Sequence, residues 1–150
     1  MTGPVVIDAS VAIKWVIDEP LHTAARRLIP LTRHLTAPDL LHAEVANVCR
    51  KKMRRGELGS AQAILGLGTI RQIIRVFEPA AVHAQRALLL ALALDHHAYD
   101  CFYLAQAEAH EGVLVMADQV LWRKVRAASL PIDVLTLDDP GLIERLAARP

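Results

Sequence analysis

Four carboxylates in this 150-residue chain stand where acids can do chemistry. Asp8 directly follows the apolar run Val5-Val6-Ile7, and Asp118 follows Val113-Leu114-Val115-Met116-Ala117. Glu44 lies in Leu40-Leu41-His42-Ala43-Glu44-Val45-Ala46-Asn47-Val48, and Asp100 in Tyr99-Asp100-Cys101-Phe102-Tyr103-Leu104-Ala105. Gathered in one place, four carboxylates repel one another unless they are protonated or bound to cations. Hard divalent ions such as Mg²⁺ take oxygen ligands and keep several waters. Such a cluster suits metal-assisted phosphodiester hydrolysis, in which an ion generates hydroxide and one or two ions stabilise the attacking and leaving oxygens. Each acid also has an ordinary structural reading. Asp8, Asp100 and Asp118 read as helix N-caps, and Glu44 as a surface ion-pair partner. In a helix Leu41, Val45 and Val48 form one stripe flanked by Leu40, Glu44 and Asn47, which puts Glu44 at the edge of the buried face. A first-turn acid such as Asp100, beside apolar and aromatic neighbours, needs a partner.

The elements that position these acids alternate between short apolar runs and longer helical patterns. Strands are expected at Pro4–Ile7, His34–Ala37, Val76–Glu78, Val113–Met116 and Ile132–Leu135. Ser10 is the expected cap of a helix running through Val11–Ile17. Further helices are expected over Leu21–Leu31, interrupted by Pro30, from near Asp39 to Arg55, stopped by Gly56, and over Ser60–Arg75, weakened by Gly66 and Gly68. The remainder cover Ala80–Leu94, about Asp100–His110 ended by Gly112, Gln119–Ala128 and Asp139–Ala147. Strands separated by helices imply a parallel sheet with helices on both faces. In such folds, sites form beyond the carboxyl ends of the strands, where Asp8 and Asp118 lie.

Composition fits one domain over residues 1–150, with 53% hydrophobic residues and 4% aromatics, an aliphatic core. The formal net charge is +1, so any affinity for nucleic acid must come from local clustering. Arg50-Lys51-Lys52-Met53-Arg54-Arg55 is such a cluster. It reads either as a solvated helix C-terminus, where cations favour the dipole, or as a phosphate path. Glu44, Asn47, Lys51 and Arg54 recur at helical spacing over a rise of about 15 Å. A metal site at one end would then sit beside a basic track formed by Lys51, Arg54 and Arg55, suited to single-stranded RNA. The seven histidines, His96-His97 included, show no paired spacing and read as surface or supporting residues. Trp15 and Trp122 are expected to pack against the sheet or a partner. Cys49 and Cys101 belong to no C-x-x-C pair and read as reduced thiols. No signal-peptide pattern precedes Val5, and the longest apolar run, Ala87–Leu94, is far short of the roughly 20 residues a membrane span requires. That run reads as core or dimer surface, and the chain as a cytoplasmic protein without a membrane element.

With these residues in view, the chain resembles the PIN-domain ribonucleases, in particular the VapC-type toxins of type II toxin–antitoxin modules. Val6-Ile7-Asp8-Ala9-Ser10-Val11 is similar to the family's opening motif, and Glu44-Val45-Ala46-Asn47-Val48 to its second. Tyr99-Asp100-Cys101-Phe102-Tyr103-Leu104-Ala105-Gln106-Ala107 is similar to the third, and Ala117-Asp118-Gln119-Val120-Leu121 to the fourth. The four occur in order across nearly the whole chain. The resemblance implies a three-layer α/β/α fold with a central parallel sheet and an endoribonuclease dependent on Mg²⁺ or Mn²⁺. It implies that Asp8, Glu44, Asp100 and Asp118 are the catalytic, metal-binding acids, supported by Ser10 and Asn47. It also implies an RNA substrate, a cognate antitoxin and a homodimer. One position departs from the pattern: Met116 stands two residues before the fourth acid, where the family often has Thr or Ser whose hydroxyl can orient a ligand or a water. That departure keeps open a catalytically impaired module that binds RNA or antitoxin. An aspartate-based phosphotransfer domain is the other alternative, although Ser10 stands where a second Asp is often found.

Overall fold

Val5, Val6 and Ile7 are completely buried, so side chains pointing to opposite sides of this strand are both covered. Val113–Met116 are buried in the same unbroken way. Strands that hide both faces belong in the middle of a parallel sheet with helices on either side. The computed structural model, which describes residues 3–149, has that architecture. In chain order the elements are β1 (Val5–Ile7), α1 (Ala9–Ala12), α2 (His22–Arg26), β2 (Leu35–Pro38), α3 (Leu40–Arg54), α4 (Ser60–Ile73) and β3 (Val76–Glu78). They continue with α5 (Ala84–Leu94), α6 (Ala98–Ala109), β4 (Val113–Met116), α7 (Gln119–Ala127), β5 (Asp133–Thr136) and α8 (Leu142–Ala147). Single 3-10 turns cover Ile13–Trp15, Ile29–Leu31 and Ala80–His83.

The five strands are all parallel and lie in the order β3-β2-β1-β4-β5, a three-layer α/β/α fold. Val5 is level with both Leu35 and Val113, and Ile7 with Val115. The chain builds outward from β1 through β2 and β3, then crosses back to place β4 on the other side of β1. That reversal opens a crevice beyond the carboxyl ends of β1 and β4, the usual place for a site in such sheets. Helix α6 packs across β1, β2 and β4 and is flanked by α5. Its buried Gln106 donates to Thr36 Oγ1 at 3.0 Å, and Thr36 Oγ1 donates to the Val76 carbonyl at 3.0 Å, tying α6 to β2 and the edge strand β3.

All five expected strands form, with β1 starting at Val5 rather than Pro4 and β2 and β5 each lying one residue later than their patterns indicated. Several helix limits move for local reasons. Asp8, not Ser10, caps α1: its carboxylate accepts from Ser10 N and its carbonyl from Val11 N and Ala12 N. The expected helix to Ile17 shortens to one α turn and a 3-10 turn, and the Trp15 indole donates to the Ala25 carbonyl at 2.8 Å. Leu21–Leu31 divides into α2 and a 3-10 turn that contains Pro30, since proline supplies no amide to continue α hydrogen bonding. Ala80–His83 is a 3-10 turn rather than the start of α5. Asp139 instead forms a turn with Gly141 N, so α8 starts only at Leu142. Helix α6 starts at Ala98, which makes Asp100 a first-turn residue and not an N-cap.

Two glycines separate packing from propensity. A Cβ on Gly112 would lie 2.6 Å from the Pro4 carbonyl oxygen, which Val113 N holds at 3.1 Å. Gly68 lies exposed within α4 with nothing within 4 Å of a built Cβ. Gly112→Ala is therefore expected to destabilise the protein by about 2 kcal/mol. Gly68→Ala is expected to stabilise it by up to about 1 kcal/mol. Urea denaturation of the two variants should displace the midpoint in opposite directions.

Candidate active site

The crevice is organised first by Asp8. It is the residue after β1, adopts extended backbone and is buried, 8% exposed. Its Oδ2 accepts from Ser10 N at 2.9 Å and from Ser10 Oγ. The same hydroxyl accepts from Ala117 N at 3.2 Å, so Ser10 joins the end of β1 to the residue after β4. Asp118 follows and caps α7, its Oδ1 accepting from Val120 N at 2.9 Å and Leu121 N at 3.2 Å. Its other oxygen faces His96. Met116 is 1% exposed and packs in the core. The hydroxyl at the junction of β4 and α7 thus comes from Ser10.

The other two acids arrive on long helices. Glu44, from α3, accepts a hydrogen bond of 3.1 Å from the buried Tyr103 hydroxyl of α6. Asp100 lies one turn before Tyr103. Its Oδ2 is 2.8 Å from His96 Nε2, and the same nitrogen is 3.8 Å from Asp118 Oδ2. Lys124 Nζ donates to the Asp95 carbonyl at 2.5 Å and faces His96 Nδ1 at 3.4 Å. An ammonium has donors only, so Nδ1 faces it as an acceptor and the imidazole proton sits on Nε2, donating to Asp100. His96, Lys124 and Tyr103 were not assigned to the site from sequence. The signal for His96 was its i, i+4 spacing from Asp100, a pairing that the expectation of no paired histidine spacing overlooked.

The electrostatics of the acids are coupled. Burial, then the charges of Asp100 and Asp118, raise Asp8 from 3.8 to about 6 against the opposing Ser10 hydrogen bonds. Burial, then Asp8 and Asp100, raise Glu44 from 4.5 to about 7 despite the Tyr103 hydrogen bond. Burial and the nearby carboxylates push the Tyr103 phenol far upward, leaving it a fixed donor. Asp8 thus feels the charges of Asp100 and Asp118, and Glu44 those of Asp8 and Asp100, so the four expected acids lie near one another. Oxygen donors with surplus negative charge fit a hard divalent ion such as Mg²⁺ or Mn²⁺.

Glu44, Asn47 and Asp100 also line one surface cleft of about 500 Å³, together with Leu40, His97 and Tyr99. Tyr99 is 67% exposed there. Lys51, Arg54 and Arg55 are exposed toward the C-terminal end of the same α3. Lys52 differs, pairing with Glu19 at 3.4 Å and Glu57 at 3.5 Å. Trp122 is partly buried, with the Arg126 guanidinium 5.4 Å from its ring centre.

Fold and site together define a class: parallel-sheet α/β proteins with a carboxylate cluster at the switch point of the strand order. A family model for the PIN domain matches residues 5–127, and the chain belongs to the PIN-domain family. It is 33% identical over 114 residues to the VapC ribonuclease Mb0985 of Mycobacterium bovis, covering 76% of this chain and 85% of that protein. Ribonuclease VapC9 of Mycobacterium tuberculosis matches with the same identity and coverage. The crystal structure of PAE2754 from Pyrobaculum aerophilum superposes with a TM-score of 0.72 over 99% of this chain and 100% of that one, at 24% identity.

The raised acids make the metal-free protein sensitive to pH in a defined direction. Between about pH 4 and pH 7 the native state holds more protons on Asp8 and Glu44 than the unfolded chain does. Stability therefore falls as pH rises through that window. Asp8→Asn keeps a capping oxygen and removes the charge. In EDTA at pH 7.5 the variant is expected to melt about 5 °C higher than the parent, with the difference vanishing near pH 4. Equal or lower melting temperatures at pH 7.5 would make Asp8 a structural cap alone.

Proposed function

We propose that this protein is a divalent-metal-dependent endoribonuclease and the toxin of a toxin–antitoxin pair. The convergence of Asp8, Glu44, Asp100 and Asp118 in one under-neutralised site carries the reading. Membership in the PIN-domain family and the likeness to proteins named as VapC ribonucleases support it. Asp8, Glu44, Asp100 and Asp118 hold Mg²⁺ or Mn²⁺ in this reading. The ion supplies Lewis-acid activation of water and stabilises charge on the phosphate oxygens.

The chain's own residues do the rest. Ser10 fixes Asp8 and ties it to the backbone beside Asp118. Tyr103 directs one oxygen of Glu44, and His96 directs one of Asp100, as supporting residues do around metal-binding carboxylates. Asn47 lines the cleft one turn after Glu44 and supports the acids there. Lys51, Arg54 and Arg55 continue from it along α3 as a track for the phosphates of single-stranded RNA, and Tyr99 offers an exposed ring on which a base can stack.

The same acidic pocket suits a cognate antitoxin that inserts a basic side chain and lays an apolar helix on the surrounding surface. The outer side of α5 exposes Leu88, Leu89 and Leu92 at 57%, 50% and 72%, a face for a second copy in a homodimer. Among the described residues no helix is long and apolar enough to cross a membrane. Cys49 and Cys101 are free and buried, in keeping with action in the reducing cytoplasm.

The deciding experiment incubates purified protein with cellular RNA, with Mg²⁺, with Mn²⁺ and with EDTA. Internal cleavage is expected only with metal. Asp8→Asn, Glu44→Gln and Asp100→Asn are each expected to lower the rate at least 100-fold while circular dichroism stays unchanged; near-normal turnover in two of the three would exclude a shared catalytic site. Lys51→Ala combined with Arg54→Ala is expected to weaken RNA binding in EDTA. It should also flatten the slope of log affinity against log salt by about 1.4, roughly 0.7 for each lost phosphate contact on a single strand. An unchanged slope would return these two residues to a purely solvated helix face.

A further inference from the structure

A second group of metal-ligating side chains lies at the other end of α6, and it has no part in the acidic site. Glu78 ends the edge strand β3, His83 ends the 3-10 turn before α5, and His110 caps the C-terminus of α6. Glu78 Oε2 is 2.8 Å from His83 Nε2, and Glu78 Oε1 is 2.6 Å from His110 Nε2. One ligand atom from each of the three residues lies within 4.8 Å of the others. His83 is 5% exposed, whereas the His110 side chain is 43% exposed. Glu78 and His110 border a surface cleft of about 530 Å³, which His34 also lines. From Asp100 to His110 the helix rises about 15 Å, so this group is separate from the four acids.

We infer that Glu78, His83 and His110 form a second metal site, for a borderline divalent ion of the Zn²⁺ type, with an open coordination position toward the cleft. Two imidazole nitrogens and one carboxylate are a donor set that Zn²⁺ accepts in three-ligand sites, the fourth position going to water. Mg²⁺ prefers oxygen and keeps its waters, so two imidazoles beside a single carboxylate favour Zn²⁺ over Mg²⁺ here. Ligand atoms about 2.1 Å from a tetrahedral ion are about 3.4 Å apart. The imidazoles, which now approach different oxygens of Glu78 at 2.8 and 2.6 Å, therefore need to draw back by about 0.6 to 0.8 Å to admit the ion. Of the two, His110 has the freedom to do so at the surface. The ion would tie the edge strand, the start of α5 and the end of α6 together, three elements otherwise joined here by hydrogen bonds to one carboxylate. It would act as a clamp beside the apolar outer side of α5.

The test uses the full chain, stripped of metal and then kept in excess Mg²⁺ so that hard-ion positions are filled. Zn²⁺ is titrated calorimetrically, and Co²⁺ serves as an absorbing substitute. One Zn²⁺ per chain is expected, with visible Co²⁺ bands of a four-coordinate nitrogen-containing site. His110→Gln is the main variant because His110 is exposed, and Glu78→Gln is the second. Both should weaken Zn²⁺ at least tenfold and lose the Co²⁺ bands. Asp100→Asn should keep both, and His110→Gln should leave Mg²⁺-dependent RNA cleavage unchanged. Absence of Zn²⁺ binding in Mg²⁺ would overturn the proposal, leaving two hydrogen bonds to Glu78. Undiminished binding in both His110→Gln and Glu78→Gln, or its loss in Asp100→Asn, would overturn it by placing the ion elsewhere.

Discussion

Asp8 carries a charge in a place that water hardly reaches, and its Oδ2 is held there by the backbone amide and hydroxyl of Ser10. A buried carboxylate is tolerable only when hydrogen-bonded, protonated or matched by a cation. Here the hydrogen bonds are insufficient, because burial, and then the charges of Asp100 and Asp118, raise Asp8 to about 6. The fold creates this condition by placing β1 at the centre of the sheet and β4 beside it. Both strands then end at one crevice, and each delivers an acid there. The strand order is thus what gathers acids at this crevice.

Two of these acids keep an oxygen free of their structural role. Asp8 and Asp118 are each N-caps, yet capping occupies Oδ2 of Asp8 and Oδ1 of Asp118, leaving each a second oxygen. Capping pins the carboxylate in one orientation, and this is what a ligand requires. The structural and functional readings of these residues are therefore complementary. Glu44 and Asp100 are oriented from outside their own helices, by Tyr103 and by His96. Lys124 lies against the far side of His96, so a residue of α7 borders the pair that orients a carboxylate on α6.

Ser10 supplies a hydroxyl beside the end of β4, where Met116 supplies none. Met116 supplies packing where the family often supplies a hydroxyl, and the junction it leaves is reached by Ser10 Oγ from the neighbouring strand end. The basic residues show a similar division of labour along α3. Lys52 turns to Glu19 and Glu57, while Lys51, Arg54 and Arg55 remain exposed on the helix that also carries Glu44 and Asn47. The α5 run from Ala87 to Leu94 divides between core and surface: Ala87, Leu90 and Leu94 are buried, while Leu88, Leu89 and Leu92 face outward.

The parallel α/β class was legible in the sequence because apolar strand runs and helical periodicity are local properties, and because strands buried on both faces leave no polar alternation. The positions of the four acids were legible for the same reason, each being tied to the end of a strand or to a helix edge. Helix limits were less so: whether Asp8 or Ser10 caps α1, or whether Ala80–His83 is α or 3-10, turns on hydrogen bonds that competing side chains settle only in the folded chain. The convergence of the acids was not encoded in any local pattern. It required the strand order β3-β2-β1-β4-β5, which brings Asp8 and Asp118 together across 110 residues of chain and lets Ser10 reach Ala117. His96, Tyr103 and Lys124 became visible for the same reason, and so did the Glu78–His83–His110 group. Individually they are ordinary residues, and their chemistry arises from contacts between elements distant in sequence, which only tertiary packing brings within hydrogen-bonding distance.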